Sequence, residues 1–327
     1  MGKEYTDMDD LVIGGIDVHQ FLVITGNNLI TLMTNRTFES GIGNWDQNGV
    51  NVLSRGLDDT TPFGKYVLRI EDDNAAADEY AVLDIDDAVN YFDEREFILY
   101  FWAKGDSTTV KGSIEVYTDS ALFPGIPVAA KELGLTEYWK PYYLIIQVPA
   151  SFEANQLNLR FKPAYTTDPV TETGVMYLDN VNLYEVSWDT EIRAATRMQQ
   201  EWMREDIANY NLASGHNKTY LDGFRYKCDL FFDGISKQNE AYRSKIMSAN
   251  LVFFIPHNDY NWGILVKPND NVKRNYLADK YIWHTGEINL IGVELLNNDN
   301  CLLVEDTYIG PDDFTFIFYE DDLDPVI

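Results

Sequence analysis

Between residues 28 and 186, apolar and polar residues alternate in short runs that Gly, Pro, Asn and Asp interrupt. β-Branched and aromatic residues at a period of two are typical of strands with one buried face. About seven or eight such runs, with no helical period between them, indicate a β-sandwich or jelly roll. The clearest runs are residues 66–70, 96–102, 112–117, 142–148, 157–161 and 176–186.

The charge of the chain is unevenly distributed and restricts its partners. The 327 residues carry a net charge of −28. Residues 1–187 hold −18 of it, residues 188–300 hold −2 and residues 301–327 hold −8, so the middle part is compositionally distinct. The acidity argues against nucleic acid as a partner, because phosphate binding depends on Lys and Arg. It argues equally against binding to anionic membranes.

Other counts exclude further classes of protein. No stretch approaches the roughly 18 consecutive apolar residues of a membrane-spanning helix, so no membrane insertion is expected. The first ten residues lack the layout of a secretory signal. Two cysteines, Cys228 and Cys301, are too few for a disulfide framework. We therefore expect a soluble chain of more than one domain that folds by packing alone.

Both ends of the alternating region resemble a known family. The opening Leu32-Met-Thr-Asn-Arg-Thr-Phe-Glu-Ser-Gly-Ile-Gly-Asn-Trp45 resembles the first strand of galactose-binding-like carbohydrate-binding modules, which begin N-x-x-F-E-x-G-x-x-x-W. The closing Tyr177-Leu-Asp-Asn-Val-Asn-Leu183 is similar to their aspartate-bearing last strand. The resemblance covers residues 28–187 and implies a jelly-roll sandwich. Many modules of this fold hold proteins together without binding sugar, so the fold alone does not imply a ligand.

The resemblance also implies a structural ion. Glu39 and Asp179 lie at the two ends that this family often joins through Ca²⁺, which binds carboxylate and carbonyl oxygens. The alternative is that both are ordinary edge carboxylates. No other cofactor is expected. Phe38 and Trp45, in the same motif, are expected to fill the core.

A sugar site would need exposed aromatic faces for stacking, with polar groups beside them to bind hydroxyls. One sequence does not show which rings face water. The candidates by residue type are Tyr117, Phe123, Trp139 and Tyr165.

The region 188–300 predicts a second β-rich domain with one or two helices. Ser187 is suited to cap a helix that starts at Trp188, and apolar residues up to Ile207 follow at helical spacing. This segment predicts a linking helix, and Ser236 to Ala249 predicts a second one. Strands are expected in residues 220–233, 251–259, 262–267 and 281–296.

The order strand, helix, strand, strand, strand in residues 211–296 resembles the tail-tube-like domain of tailed bacteriophages, which tube, distal-tail and baseplate proteins share. An apolar run at residues 11–25 matches no strand of the sandwich, and we expect it to belong with the second domain. The sandwich would then be an insertion. The predicted domains are residues 1–27, 28–187, 188–300 and an acidic C-terminal strand or arm, 301–327.

No catalytic motif is present, and we expect no enzyme. His257, Asp259 and His284 could in principle hold a metal, but isolated His and Asp residues at strand ends are usually structural. In the C-terminal segment, Phe314 to Tyr319 predicts a strand. That strand could complete the chain's own second domain, or it could act as an arm that adds to a neighbouring subunit.

Two functional hypotheses follow. The first is a structural virion protein of a bacteriophage tail, assembled in the host cytoplasm, that forms a symmetric ring with itself and contacts other tail proteins. The sandwich would decorate this ring. The alternative is a carbohydrate-binding adhesin that attaches to a host surface glycan.

Overall fold

The computed structural model divides the chain into two compact units. Met1–Thr25 and Ser187–Asn298 form one, which we call the split unit. Gly26–Val186 and Asp299–Ile327 form the other, which we call the sandwich unit. The residues that the structure describes are 18–25, 27–50, 52–72, 80–86, 91–106, 111–121, 125–150, 152, 154–163, 174–193, 195, 197–211, 217–235, 237–256, 263–269, 274–276, 284–293, 302–305 and 316–319.

Two antiparallel sheets make up the sandwich unit, as the alternating pattern predicted. The strands of the first sheet are, in order, β3 (Val52–Leu57), β4 (Tyr66–Asp72), β11 (Gly174–Arg193), β6 (Glu96–Gly105) and β9 (Lys140–Gln147). The strands of the second sheet are, in order, β2 (Asp46–Asn48), β5 (Tyr80–Asp86), β10 (Gln156–Lys162), β7 (Lys111–Thr118) and β8 (Ala129–Gly134). The predicted mainly β fold is therefore confirmed.

Alternate residues of these strands form one core. In β10, Leu157, Leu159 and Phe161 are fully buried, while Asn158 and Arg160 between them keep access to solvent. Successive side chains of a strand point to opposite faces, so one face of β10 enters the core and the other stays open. Phe38 and Trp45 belong to the same core, with ring centroids 6.2 Å apart, which confirms the prediction for both.

The strands of the split unit pair in an antiparallel arrangement. Its strands are, in order, β12 (Arg197–Asn211), β13 (Asn217–Ile235), β17 (His284–Gly292), β15 (Ile264–Pro268), β14 (Val252–Ile255) and β1 (Val18–Thr25), with β16 (Arg274–Tyr276) also paired to β17. The register of β1 with β14 sets Gln20 opposite Ile255 and Val23 opposite Val252. β1 thus pairs with a strand that follows the sandwich unit in sequence.

The predicted linking helix is wrong, because strands β11 and β12 occupy this segment. Most of the apolar positions behind that prediction, 188, 192, 198 and 202, are even-numbered, and even-numbered residues also share one face of a strand. In β11, buried Thr190 and Ile192 alternate with exposed Asp189 and Glu191. A period of two therefore governs the end of β11, and β12 is held as a strand by its pairing with β13.

The second predicted helix is confirmed as α1 (Lys237–Met247). It is the one helix of more than three residues in the described part of the chain. Trp188 of β11 contacts Tyr242 of α1 edge to face, with ring centroids 5.5 Å apart. The Nζ atom of Lys245 lies 4.1 Å from the centroid of the Trp188 ring. These contacts hold α1 against the sheet of the split unit.

The acidic C-terminal strand has a partner in its own chain. β18 (Leu302–Glu305) pairs with β19 (Phe316–Tyr319), so that Leu303 lies opposite Phe318. Within the described residues these strands form a separate two-stranded sheet instead of extending the sheet of the split unit. Phe314 lies outside the described residues. Across the described residues, none of the helical structure has the length and apolar character needed to cross a membrane.

Candidate functional site

The open side of the second sheet of the sandwich unit carries most of the polar and aromatic residues that could bind a ligand. Strand pairing brings its parts together: Arg160 of β10 lies opposite Val82 of β5 on one side and Glu115 of β7 on the other. Asn158 lies likewise between Asp84 and Tyr117. All of these side chains are half-buried or exposed. We call this surface the β10 face; its side chains are Tyr80, Val82, Asp84, Asp86, Glu115, Tyr117, Gln156, Asn158, Arg160 and Lys162.

Arg160 occupies the middle of the β10 face between two aromatic rings. Its guanidinium carbon lies 4.7 Å from the ring centroid of Tyr80 and 3.9 Å from that of Tyr117. Such cation–π contacts hold a guanidinium flat and reduce the number of rotamers that it samples. The Nε atom of Arg160 is shielded from solvent and has no hydrogen-bond partner.

Hydrogen bonds fix the residues on the β7 side of Arg160. The Nζ atom of Lys162 lies 2.9 Å from Oε2 of Glu115, and both side chains are largely buried. The hydroxyl of Tyr117 donates to the same Oε2 atom at 2.9 Å. The carboxylate that faces Arg160 in the register is therefore held by Lys162 and Tyr117.

The β5 side of the face has a similar chain of amides and carboxylates. Asn158 donates through Nδ2 to Asp84 at 2.6 Å and to Oε1 of Gln156 at 2.9 Å. Gln156 donates in turn to Asp86 at 2.7 Å. The face is thus a pre-ordered polar surface with two tyrosine rings.

The structure places the four predicted sugar-binding residues differently. Tyr117 lies on the β10 face and contacts Arg160. The prediction for Trp139 is wrong, since its side chain is 1% exposed and a buried ring has no face for a sugar. Phe123 and Tyr165 lie outside the described residues.

Sequence reasoning missed Tyr80 and Arg160. The signal for Arg160 was present, because Leu157-Asn-Leu-Arg-Phe161 alternates strictly and so puts Asn158 and Arg160 on the open face. The signal for Tyr80 was absent. Its position beside Arg160 depends on the pairing of β5 with β10, two strands that are far apart in the sequence.

Glu39 and Asp179, the predicted calcium ligands, both hold the loop between β3 and β4. Oε1 of Glu39 accepts hydrogen bonds from the backbone N–H groups of Lys65, at 2.7 Å, and Tyr66, at 3.0 Å. The Asp179 carboxylate is fully buried and accepts a hydrogen bond from the hydroxyl of Thr61 at 2.5 Å.

The backbone is strained beside both carboxylates. Phe38, before Glu39, has φ 56°, and Asn180, after Asp179, has φ 48°. Non-glycine residues at positive φ are uncommon and need support from their surroundings. Two carboxylates and the Thr61 hydroxyl are oxygen ligands of the type that Ca²⁺ takes. In the described parts of the chain, however, no three His, Cys, Asp or Glu side chains form a metal-binding group.

The calcium site stays a prediction. The chemistry of the side chains suits Ca²⁺, and Glu39, Asp179 and Thr61 would hold the ion through their oxygen atoms. Addition of EDTA to the full-length protein should then lower the melting temperature of the sandwich unit, because an ion that binds only the folded state stabilises it by mass action. The shift should grow with the free Ca²⁺ concentration in a calorimetric titration. A melting temperature that responds to neither EDTA nor excess Ca²⁺ would show that the hydrogen bonds of the loop suffice.

The same loop is tied to β6 by an ion pair. Nζ of Lys104 lies 2.6 Å from Asp58, and both side chains are mostly buried. Burial raises the pKa of Asp58, but hydrogen bonds from Lys104 and Thr60, together with the charge of Lys104, outweigh it and lower that pKa. The loop therefore keeps a charged carboxylate at neutral pH.

The residues considered for catalysis give no reactive centre. Cys228 is buried in β13, and this burial raises the pKa of its thiol to about 12. Because the thiolate is the nucleophilic form of cysteine, Cys228 is unsuited to attack a substrate. His257 and Asp259 lie outside the described residues. That the chain is no enzyme stays a prediction.

Comparisons with known proteins give structural likeness at low identity. No protein-family model matches the sequence, and curated proteins gave no significant match. The CBM22-1 xylan-binding domain of Paenibacillus barcinonensis Xyn10C is 16% identical, with 50% of this chain and 98% of that domain covered and a TM-score of 0.38.

Two further solved structures are similar to the same degree. A putative sugar binding protein from Bacteroides thetaiotaomicron is 10% identical over 49% of this chain and 100% of its own, with a TM-score of 0.35. The enzymatically active domain of bacteriophage CBA120 tailspike protein 4 is 22% identical over 46% of this chain and 21% of its own, with a TM-score of 0.34. Such scores are too low to assign a family or a ligand.

Proposed function

We propose that the sandwich unit binds a carbohydrate through the β10 face. The observation that supports this proposal is the arrangement of Tyr80 and Tyr117 on either side of Arg160 on an open sheet. Tyrosine rings offer apolar faces to the C–H groups of a sugar ring and hydroxyls to its polar rim. Asn158 and Glu115 beside them can exchange hydrogen bonds with sugar hydroxyls. The face needs little rearrangement to bind, because its polar side chains already hold one another.

Alanine at either tyrosine tests this proposal. Tyr80→Ala and Tyr117→Ala should each weaken glycan binding by about five- to thirtyfold, since each removes a ring contact of roughly 1–2 kcal/mol. The ligand would first be found on a glycan array with the full-length protein and then titrated by calorimetry.

Tyr138→Ala is the matched control. This tyrosine is 38% exposed and lies outside the β10 face, so its replacement should leave the affinity unchanged. Equal affinity of the wild type and of a folded Tyr80→Ala/Tyr117→Ala double variant would contradict binding at this face.

A different observation supports the expectation of a self-assembling virion protein. β12 is the terminal strand of its sheet and pairs, within the described residues, on the β13 side alone. A strand of 15 residues with one free edge is a template for pairing with another chain. We propose that the split unit assembles with further copies through this edge, as a ring component of a bacteriophage tail would. A native mass measurement should give a single oligomer, whose mass is a whole-number multiple, greater than one, of the 37.6 kDa chain. A monomer at all concentrations would leave the adhesin alternative.

A further inference from the structure

Arg160 is a cation without a counter-ion in the part of the protein that the structure describes. Its two contacts are the rings of Tyr80 and Tyr117, and it forms neither a hydrogen bond nor an ion pair there. A shielded donor without an acceptor is unfavourable, and more so when the donor is charged. A ligand that brings acceptor oxygens would remove this cost at the moment of binding.

The carboxylates near Arg160 are bound to other groups. Glu115 lies opposite Arg160 in the register of β7 with β10, yet it binds Lys162 and the hydroxyl of Tyr117. Asp84 lies two pairs further along β5, opposite Asn158, and accepts a hydrogen bond from it. On β10, the charge of Lys162 is thus neutralised by Glu115, while the charge of Arg160 has no ion-pair partner among the described residues.

The remaining acids do not cancel the charge of Arg160 at its own position. Asp84 and Asp86 lie on the β5 side and are exposed, so water and salt screen them. Arg160 is half-buried between two rings, where charges interact more strongly than in water. At the centre of the β10 face Arg160 therefore offers its positive charge to an anion, although the whole chain is acidic.

The shape of the Arg160 guanidinium also favours an anionic ligand. A guanidinium presents its N–H groups as a planar fork that matches an oxyanion through two parallel hydrogen bonds. The stacking of Tyr80 and Tyr117 on Arg160 fixes the plane of this fork before a ligand arrives. A neutral hydroxyl pair would satisfy the donors but would not neutralise the charge.

We infer that the glycan recognised by the β10 face carries an oxyanion, and that Arg160 binds it as a bidentate partner. This inference rests on the proposed carbohydrate-binding function and specifies its ligand class. The oxyanion could be the carboxylate of a uronic acid or the phosphodiester of a sugar–phosphate polymer. Both offer two oxygens to one guanidinium, and the experiment separates them.

Four probes test the inference with the full-length protein in calorimetry at low salt. They are a galacturonic-acid oligomer, the methyl ester of the same oligomer, a neutral galactose oligomer and a glycerol-phosphate polymer. The ester keeps the shape of the acid and removes its charge. The acid oligomer or the phosphate polymer should bind at least about tenfold more tightly than both neutral probes, and added salt should reduce this preference. Whichever of the two binds identifies the source of the oxyanion.

Variants assign the preference to one side chain. Arg160→Gln should remove the preference for the anionic probe over the neutral probes, so that acid, ester and neutral oligomers bind with affinities within about twofold of one another. Arg160→Lys should keep part of it, because lysine retains the charge and loses the fork. Arg69→Gln is the control, since Arg69 is ion-paired to Glu71 at 2.6 Å on the other sheet and should change nothing.

The outcomes separate this inference from the function on which it rests. Equal binding of acid, ester and neutral oligomers, all weakened by Tyr80→Ala, would overturn the oxyanion and keep the sugar site. An anionic preference that survives Arg160→Gln would also overturn the role of Arg160. Failure of every probe to bind would overturn carbohydrate recognition by the face itself.

Discussion

Replacement of Arg243 by methionine is expected to lower the stability of the split unit by about 3–5 kcal/mol, because it removes the guanidinium that pairs with the buried carboxylate of Glu240. Arg243 is 1% exposed and Glu240 is 9% exposed. Two nitrogens of the Arg243 guanidinium donate to the two carboxylate oxygens of Glu240, at 2.7 and 2.8 Å. A third donates to the backbone carbonyl of Glu287 in β17 at 2.9 Å. The guanidinium thus joins α1 to the sheet.

The double variant Glu240→Leu/Arg243→Met should be more stable than Arg243→Met alone. It removes both charges together, and apolar replacements of a buried ion pair are often nearly neutral. Urea unfolding gives the stabilities, and hydrogen exchange in β13 and β17 assigns the loss to the split unit. Arg69→Met is the control, since the Arg69–Glu71 pair is 30% exposed on both sides and should contribute less than about 1 kcal/mol. A loss for Arg243→Met as small as the control's would show that the pair is not essential.

Local patterns in the sequence predicted the strands of the sandwich unit well. Glu96 to Trp102 is a continuous apolar run that lies in β6, where both faces are buried. Gly112 to Tyr117 and Leu157 to Phe161 alternate between apolar and polar residues, and they lie within β7 and β10. Such a pattern reflects burial of one face of the strand, and burial of that kind is visible in a single sequence.

The linking helix shows where local pattern fails. Apolar residues at 188, 192, 198 and 202 agree with a helical face and with a strand face equally well. Long-range pairing decided between them, since Trp202 lies opposite Tyr226 and Met198 opposite Leu230 in the β12–β13 pair. Information of this type is distributed over distant segments, and a periodicity does not contain it.

The candidate site was predictable in part for the same reason. Tyr117 was identified from its residue type, but the type alone also suggested Trp139, which packs inside. The site depends on three strands: Tyr80 on β5, Arg160 on β10 and Tyr117 on β7. Only the register of those strands shows that two rings enclose a cation.

Phe161→Ala should destabilise the sandwich unit by about 3–5 kcal/mol, the usual cost of truncating a buried phenylalanine. Phe161 is fully buried and contacts Phe101 edge to face at 5.0 Å and Trp45 at 5.5 Å between ring centroids. These rings come from β10, β6 and the segment before β2, so the cavity would weaken packing between both sheets. Urea unfolding should give the loss of stability. Hydrogen exchange should show the lost protection in β6 and β10.

Phe161→Leu separates the cavity from the loss of aromatic contacts. Leucine fills most of the volume, so this variant should lose clearly less stability than Phe161→Ala. Because Phe161 directly follows Arg160 in β10 and points to the opposite face, both variants leave every side chain of the β10 face in place. Phe161→Leu should therefore bind glycan as the wild type does, at a temperature where it is folded. Glycan binding lost in a fully folded Phe161→Leu variant would mean that recognition depends on the core side of β10, contrary to the placement of the site on its open side.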